Sequence, residues 1–76
     1  MDKRIERILE KQIDAKFTEI MSIESKPEKY QMIDKLDGKV REIRRRNMGV
    51  YSLVEYCGQV IIKLANEQNK IIYGEK

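Results

Sequence analysis

Apolar positions recur at helical intervals through the first third of the chain. The stripe runs from Ile5 to Ile20, with successive spacings of four, four, four and three residues. Because an α-helix turns once every 3.6 residues, this spacing keeps the stripe on one helical face, and it fits no β-strand. Asp2 is a suitable N-cap for such a helix. The pattern predicts a first helix over residues 3–24, whose stripe consists of Ile5, Leu9, Ile13, Phe17 and Ile20.

A second periodic segment follows a break at residues 25–28, with the sequence SKPE. Ser25 and Glu28 have the spacing of a capping box, in which two side chains satisfy free N–H groups at a helix start. Pro27 suits a first helical turn, where its missing N–H donor costs nothing. The break therefore predicts a tight turn and a second helix over residues 26–47. Its apolar stripe consists of Tyr30, Ile33, Leu36, Val40 and Ile43.

Two glycines bear on the second helix. Gly49 follows the periodic segment and is the expected stop, since glycine readily adopts the left-handed conformation that ends many helices. Gly38 lies inside the pattern and weakens the helix by about 1 kcal/mol relative to alanine. It marks either a close crossing between helices or a flaw that the fold tolerates, and the second interpretation is favoured.

The last long segment, residues 52–73, carries the densest apolar pattern and little charge. Ser52 and Glu55 repeat the capping-box spacing, so we expect the third helix over residues 53–72. An apolar face this wide requires more than one neighbour, so the first two helices are expected to cover it. One side carries Leu53, Tyr56, Cys57, Val60, Leu64 and Ile71, and an adjoining shoulder carries Val54, Ile61, Ala65 and Ile72.

These patterns predict an all-α fold in a single domain over residues 1–76. We expect a small antiparallel three-helix bundle, or a helical hairpin plus a third helix, that dimerises because so short a chain buries only about 60% of its unfolded surface. The alternative is an α+β fold with two helices and a C-terminal β-hairpin. Strand-favouring side chains are common over residues 50–62, Gly58 suits a turn, and residues 66–69 could close the hairpin. Strict alternation fails, which favours the helix.

Composition narrows the class of protein. Of the 76 residues, 38% are charged and 41% are hydrophobic, which is too apolar for a disordered tail and typical of amphipathic helices. Purely apolar runs are as short as residues 60–62, and no apolar segment follows Lys3 and Arg4, so we expect neither a membrane span nor a secretory signal. The single cysteine, Cys57, falls on the apolar stripe, which favours a buried, reduced thiol and a cytoplasmic protein.

Side chains suited to catalysis are sparse. The sequence has no histidine and one cysteine, so the usual general base and the usual zinc ligands are missing. Its serines and threonine have no triad context, and its four glycines are too scattered for a phosphate-binding loop. Carboxylates at positions 6, 10 and 14 are interleaved with basic residues, which favours a solvated surface over a metal site. We therefore expect no enzyme, no cofactor and no metal.

Residues 39–46, KVREIRRR, hold five basic residues and one acid. The formal charge is −1 over residues 1–25, +4 over residues 26–48 and 0 over residues 49–76, so this region accounts for the net charge of +3. Arginine binds phosphate and carboxylate oxygens through paired donors, which suits a nucleic-acid backbone or an acidic protein partner. The simpler interpretation is that these cations complement the helix dipole. The candidate basic patch is Lys39, Arg41, Arg44, Arg45 and Arg46.

The helical wheel gives this patch no uninterrupted basic face, because its members flank the apolar stripe on both sides. Asp37 lies four residues before Arg41, and Glu42 lies four residues before Arg46, a spacing that favours ion pairs. The patch members expected on one side are Arg41, Arg44 and Arg45, and those on the other are Lys39 and Arg46. The side chains expected to be freest are Arg44 and Arg45.

We therefore expect a small non-enzymatic interaction protein, an adaptor, inhibitor or regulator that presents a helical surface to a protein partner. The alternative is a nucleic-acid-binding accessory protein that contacts the phosphate backbone through the basic patch. Tyr51 could add a stacking surface for a base, although packing against the core is favoured. We expect a homodimer and no membrane association. The candidate apolar interface is Val54, Ile61, Ile62, Ala65 and Ile72.

Overall fold

Three α-helices make up the fold in the computed structural model, which describes residues 3–74. They are α1 (Lys3–Met21), α2 (Lys26–Arg46) and α3 (Tyr51–Tyr73), and the described residues contain no strand. The prediction of an all-α three-helix bundle is confirmed. The C-terminal β-hairpin is wrong, because one continuous helix runs through the proposed turn at Gly58 and through residues 66–69.

The core runs along the length of a bundle about 40 Å long. α2 and α3 pack most extensively against each other, and α1 contributes only two of the buried residues, Ile13 and Ile20. Buried aliphatic side chains of this size each contribute roughly 1.5–3 kcal/mol. The remaining buried residues are Ile33, Leu36, Val40, Leu53, Cys57, Val60 and Leu64.

The ends of α1 differ from the prediction. The helix stops at Met21, three residues before the expected end at Glu24, where the Ser22 hydroxyl and amide both donate to the Glu19 carbonyl oxygen. A serine that bonds its own backbone in this way competes with continuation of the helix. Ile5, predicted on the buried stripe, is half exposed in the first turn. The predicted N-cap, Asp2, lies outside the described residues.

α2 begins where its sequence signals place it, but the capping details differ. Ser25 is the N-cap residue and Pro27 lies in the first turn, yet the Ser25 hydroxyl makes no capping hydrogen bond, so the predicted capping box does not form. The helix ends at Arg46, where the Asn47 side-chain amide donates to the Ile43 carbonyl oxygen at 2.7 Å. Gly49 is not in the left-handed conformation, so asparagine terminates this helix in place of the predicted glycine.

α3 starts at Tyr51, two residues before the predicted start at Leu53. Ser52 is therefore not an N-cap and its capping box is wrong. Its hydroxyl instead donates to the Glu6 carboxylate of α1. The Ser52 hydroxyl thus binds a side chain of another helix instead of capping its own helix, because α1 runs beside this end of α3.

Gly38 does not mark a close helix crossing. A Cβ atom added there would meet nothing within 4 Å, and the residue is exposed. The glycine is thus a position that the helix tolerates, as favoured from the sequence. No helix within residues 3–74 combines the length and the apolar character needed to cross a membrane.

Candidate functional site

A groove runs along the outer seam between α1 and α2. Two adjoining cavities of about 300 Å³ and 260 Å³ share Lys16, Leu36 and Lys39 in their walls. Aliphatic side chains form the floor, because the apolar stripes of the two helices meet there. We call this surface the lysine-rimmed groove: its floor consists of Ile13, Ile20, Met32, Leu36 and Ile43, and its rim carries Lys16, Lys35 and Lys39.

The rim of the lysine-rimmed groove is positively charged. Lys16 Nζ lies 3.5 Å from Glu19 Oε2, a weak exposed ion pair. Lys35 and Lys39 form no ion pair with any residue in the described range. Two ammonium groups are therefore available beside an apolar floor.

The basic patch is divided between two surfaces, as the helical wheel predicts. Lys39 lies on the α1 side, in the lysine-rimmed groove. Three arginines line a hollow of about 380 Å³ together with Met48. We call them the arginine cluster: Arg41, Arg44 and Arg45.

Local ion pairs neutralise part of this charge. Arg41 Nε lies 2.8 Å from Asp37 Oδ2, as the spacing predicted. Arg46 Nε lies 2.9 Å from Glu42 Oε1, the second predicted pair. Arg45 was expected to be free, and this is wrong: its Nη2 also lies 2.9 Å from Glu42 Oε1, because an i,i+3 partner is within reach on the same helical surface. Hydrogen bonding and charge from Arg45, with a smaller contribution from Arg46, lower the pKa of Glu42.

Arg44 is the member of the arginine cluster without an ion pair to any described residue. Burial raises the pKa of the Cys57 thiol, whose side chain is fully buried, against a smaller lowering by the positive charge of Arg44. The predicted buried thiol is confirmed, and a buried neutral thiol is a poor nucleophile.

Tyr51 is 80% exposed, so its predicted packing against the core is wrong. Because α3 begins at this residue, Tyr51 is rotated by about 200° from Leu53 on the helix and points away from the core. It follows Met48, which is 62% exposed, by three residues. The wheel position relative to Leu53 indicates this exposure only once the start of α3 at Tyr51 is known.

The candidate apolar interface is only partly open. Val54 and Ile61 are half-buried, and Ile61 packs against the core. Ile62 is 63% exposed and Ile72 is 57% exposed. Ala65 is exposed as well. The candidate apolar interface is therefore half-buried at Val54 and Ile61 and open to solvent at Ile62, Ala65 and Ile72.

Tyr56 makes a contact that sequence reasoning missed. Its hydroxyl lies 2.6 Å from Asp14 Oδ1 and 3.1 Å from the Glu10 carbonyl oxygen, and so joins α3 to α1. Burial, followed by the Asp14 hydrogen bond, raises the pKa of Tyr56. Nothing local in the sequence pairs these residues, which are more than 40 positions apart.

Within residues 3–74 no three side chains of the metal-binding types come together. Comparison with other proteins adds no assignment: no family model matches this sequence, no curated protein matches it, and no solved structure matches it. The functional proposals therefore depend on the surfaces of this chain.

Proposed function

We propose that this protein is a small, non-enzymatic interaction module, an adaptor, inhibitor or regulator, that binds an amphipathic helix of a partner protein in the lysine-rimmed groove. The supporting observation is the combination of an aliphatic floor with Lys35 and Lys39, two rim lysines without ion pairs among the described residues. Helix-in-groove binding uses such a floor for affinity and the charged rim for orientation and specificity.

The size of the groove defines the partner segment. Its floor extends from Met32 to Ile43 along α2, which at 1.5 Å per residue is about 17 Å, or three helical turns. The partner helix would place apolar side chains at positions i, i+3 or i+4, and i+7 on the floor. Carboxylates beside that stripe would face Lys35 and Lys39. The chemistry of the site thus favours an acidic amphipathic helix.

A designed peptide tests the groove. The probe is a fluorescein-labelled helix of about 14 residues with leucines on one face and flanking glutamates, and its binding is followed by fluorescence anisotropy. We expect the double variant Lys35→Glu, Lys39→Glu to weaken binding by about tenfold or more, since like charges then face each other across the rim.

Two controls separate rim recognition from general electrostatics. Lys63→Glu makes half the change in net charge of the double variant, from an exposed position on α3, and should leave affinity within about twofold, because exposed charges at that distance are largely screened. A peptide with lysines in place of the glutamates should bind poorly. Equal affinity for both peptides, or equal losses in the two protein variants, would contradict the proposal.

The exposure of Tyr51 favours a second candidate function, binding of single-stranded nucleic acid. An open aromatic ring lies at the start of α3, three residues after Met48 of the arginine-lined hollow. Stacking of a base on such a ring, with arginine contacts to phosphate, is the common arrangement for binding single strands without sequence preference.

This second function predicts a salt-dependent affinity. A labelled oligonucleotide of about 20 nucleotides should bind at low salt and weaken steeply as salt rises. Arg44→Glu should abolish binding, and Tyr51→Ala should weaken it, whereas Tyr73→Ala, at another exposed tyrosine of α3, should not. No binding at low salt would rule this function out.

We also propose that the protein works in the cytoplasm as a homodimer. The fully buried, unpaired Cys57 suits a reducing compartment. The uncovered part of the α3 shoulder supports self-association, since soluble proteins seldom leave joined apolar surface open.

A further inference from the structure

We propose that a second copy of this chain docks on the outer face of α2 and α3, antiparallel to the first, with Gly58 at a close helix contact. The inference gives a surface and a geometry to the homodimer proposed above. It does not involve the lysine-rimmed groove, which lies on the opposite side of α2.

Each helix presents a row of four residues to this face. At about 100° per residue, positions spaced by four, three and four residues lie within about 60° of each other. Both rows have this spacing, and on each helix the row lies well away from a residue that faces α1, Lys39 on α2 and Tyr56 on α3. We call them the α2–α3 face: Asp34, Gly38, Arg41 and Arg45 on α2, and Val54, Gly58, Ile61 and Ala65 on α3.

The two rows lie at nearly the same height in the bundle. Tyr56 of α3 reaches the backbone of Glu10 on α1, and Ile13 of α1 shares a cavity with Lys39 of α2. Since α1 and α2 run antiparallel, these contacts place the centres of the two rows within about one helical turn of each other along the axis. A single two-fold axis perpendicular to the helices can therefore pass through the middle of both rows.

The α3 row is complementary to itself when reversed. Antiparallel pairing brings Val54 opposite Ala65 of the second copy, and Gly58 opposite Ile61 of the second copy. Each pair joins a branched side chain with a small residue, which lets two helices approach closely and interdigitate. The space above Gly58 is open, because an added Cβ atom there would meet nothing within 4 Å.

The α2 row is complementary in charge. The same reversal brings Asp34 opposite Arg45 of the second copy, so the symmetric contact twice offers a second carboxylate to an arginine that already pairs with Glu42 of its own helix. Both side chains belong to exposed residues, and the Arg45 side chain is 74% exposed in the single chain. Gly38 faces Arg41 of the second copy and leaves room for that long side chain. This sign pattern selects a second copy over an unrelated apolar partner, because acid and base occupy mirrored positions.

Sedimentation equilibrium tests the interface. The wild-type protein should sediment as a species of twice the 9.1 kDa chain mass. Gly58→Met should raise the dissociation constant by at least about tenfold, since a large side chain then occupies the closest contact. The fold should survive this substitution, because the position is open in the single chain and methionine favours helix. Circular dichroism at 222 nm checks that it does.

Charge reversal supplies a second test that leaves the apolar row intact. Asp34→Arg and Arg45→Asp, each alone, should weaken the dimer by placing like charges opposite each other. The double variant restores opposite charges and should recover most of the wild-type affinity, whereas Lys63→Glu should have no effect.

A wild-type protein that stays monomeric at millimolar concentration would overturn the inference. So would a dimer that persists unchanged in Gly58→Met, or a double charge reversal that fails to recover. The groove variant Lys35→Glu, Lys39→Glu should dimerise normally, so a failure of peptide binding and a failure of dimerisation are distinguishable.

Discussion

Tyr56 is the side chain that ties α1 most directly to α3. Its hydroxyl donates to the Asp14 carboxylate and lies 3.1 Å from the Glu10 carbonyl oxygen, and its ring packs against the core. α1 has few other polar links to α3 among the described residues, one of which is the bond from Ser52 to Glu6. Part of the polar attachment of α1 to α3 therefore depends on the protonation of one phenol.

This dependence predicts a loss of stability at alkaline pH. The folded state raises the pKa of Tyr56 above its ordinary value of 10.0, so the unfolded chain loses this proton first. The stabilisation is fully present below pH 10 and is lost as pH rises through the raised folded pKa. Tyr56→Phe should lower the free energy of unfolding at neutral pH by about 1 kcal/mol and reduce its alkaline slope. Urea unfolding at several pH values measures both.

Tyr73→Phe is the matched control for Tyr56→Phe. Tyr73 is 79% exposed near the end of α3, so its removal should change neither the neutral stability nor the alkaline slope. An unchanged alkaline slope in Tyr56→Phe would show that the titration of this phenol is not coupled to folding.

Gln68 carries a different kind of polar group. Its side-chain nitrogen is buried without a hydrogen-bond partner. An unsatisfied buried donor costs roughly 1–3 kcal/mol, so Gln68→Met, which keeps the length and removes the amide, should raise the free energy of unfolding by about 1 kcal/mol. Gln59→Met, at an exposed position of the same helix, should leave it within about 0.5 kcal/mol. Destabilisation by Gln68→Met would mean that the amide has a partner in solution.

At the scale of the helices, the spacing of apolar residues predicted each of the three helices, whereas side-chain hydrogen bonds determined where the helices end. The stripes of all three helices follow from spacing alone, which is why the β-hairpin alternative fails against a 23-residue helix. The positions of the helix ends did not follow from the spacing of apolar residues. Ser22 and Asn47 end their helices through bonds to the backbone, and Ser52 binds Glu6 across the bundle. Only the last of these required knowledge of the fold.

α1 depends on two buried isoleucines, which gives a prediction for the whole helix. Ile20 is 1% exposed and Ile8, on the same helix, is 54% exposed. Ile20→Ala should lower the free energy of unfolding by about 2–5 kcal/mol, because it removes buried methyl groups and leaves a cavity. Ile8→Ala should cost less than about 1 kcal/mol in a chemical denaturation experiment. Similar costs at both positions would show that Ile8 is buried in solution, for example against a partner.

At the scale of the molecule, the candidate surfaces were only partly predictable. The wheel placed Lys39 opposite the arginine cluster, because that separation depends on angles within one helix. The lysine-rimmed groove was missed, since it needs Lys16 of α1 beside Lys35 of α2, a relation that no single helix encodes. The exposure of Tyr51 was missed because it depends on where α3 begins.

The unequal packing of the three helices predicts the order in which they unfold locally. α2 and α3 bury three and four residues respectively and pack extensively together, whereas α1 buries two. Native-state hydrogen exchange should therefore show the amides of α1 exchanging through a lower-energy opening than those of α2 and α3. Uniform protection across the three helices would indicate a single cooperative unit.

Because Cys57 is buried, the reactivity of its thiol reports transient opening of the helix bundle. The thiol is the only one in the sequence and is fully enclosed by the helices, so a thiol reagent can reach it only when the bundle separates. When closing is faster than labelling, the rate of modification equals the opening equilibrium constant multiplied by the intrinsic thiol rate. The rate of thiol modification of the wild-type protein therefore measures the free energy of opening without an introduced cysteine. Any ligand that holds the helices together lowers this rate in proportion to its occupancy.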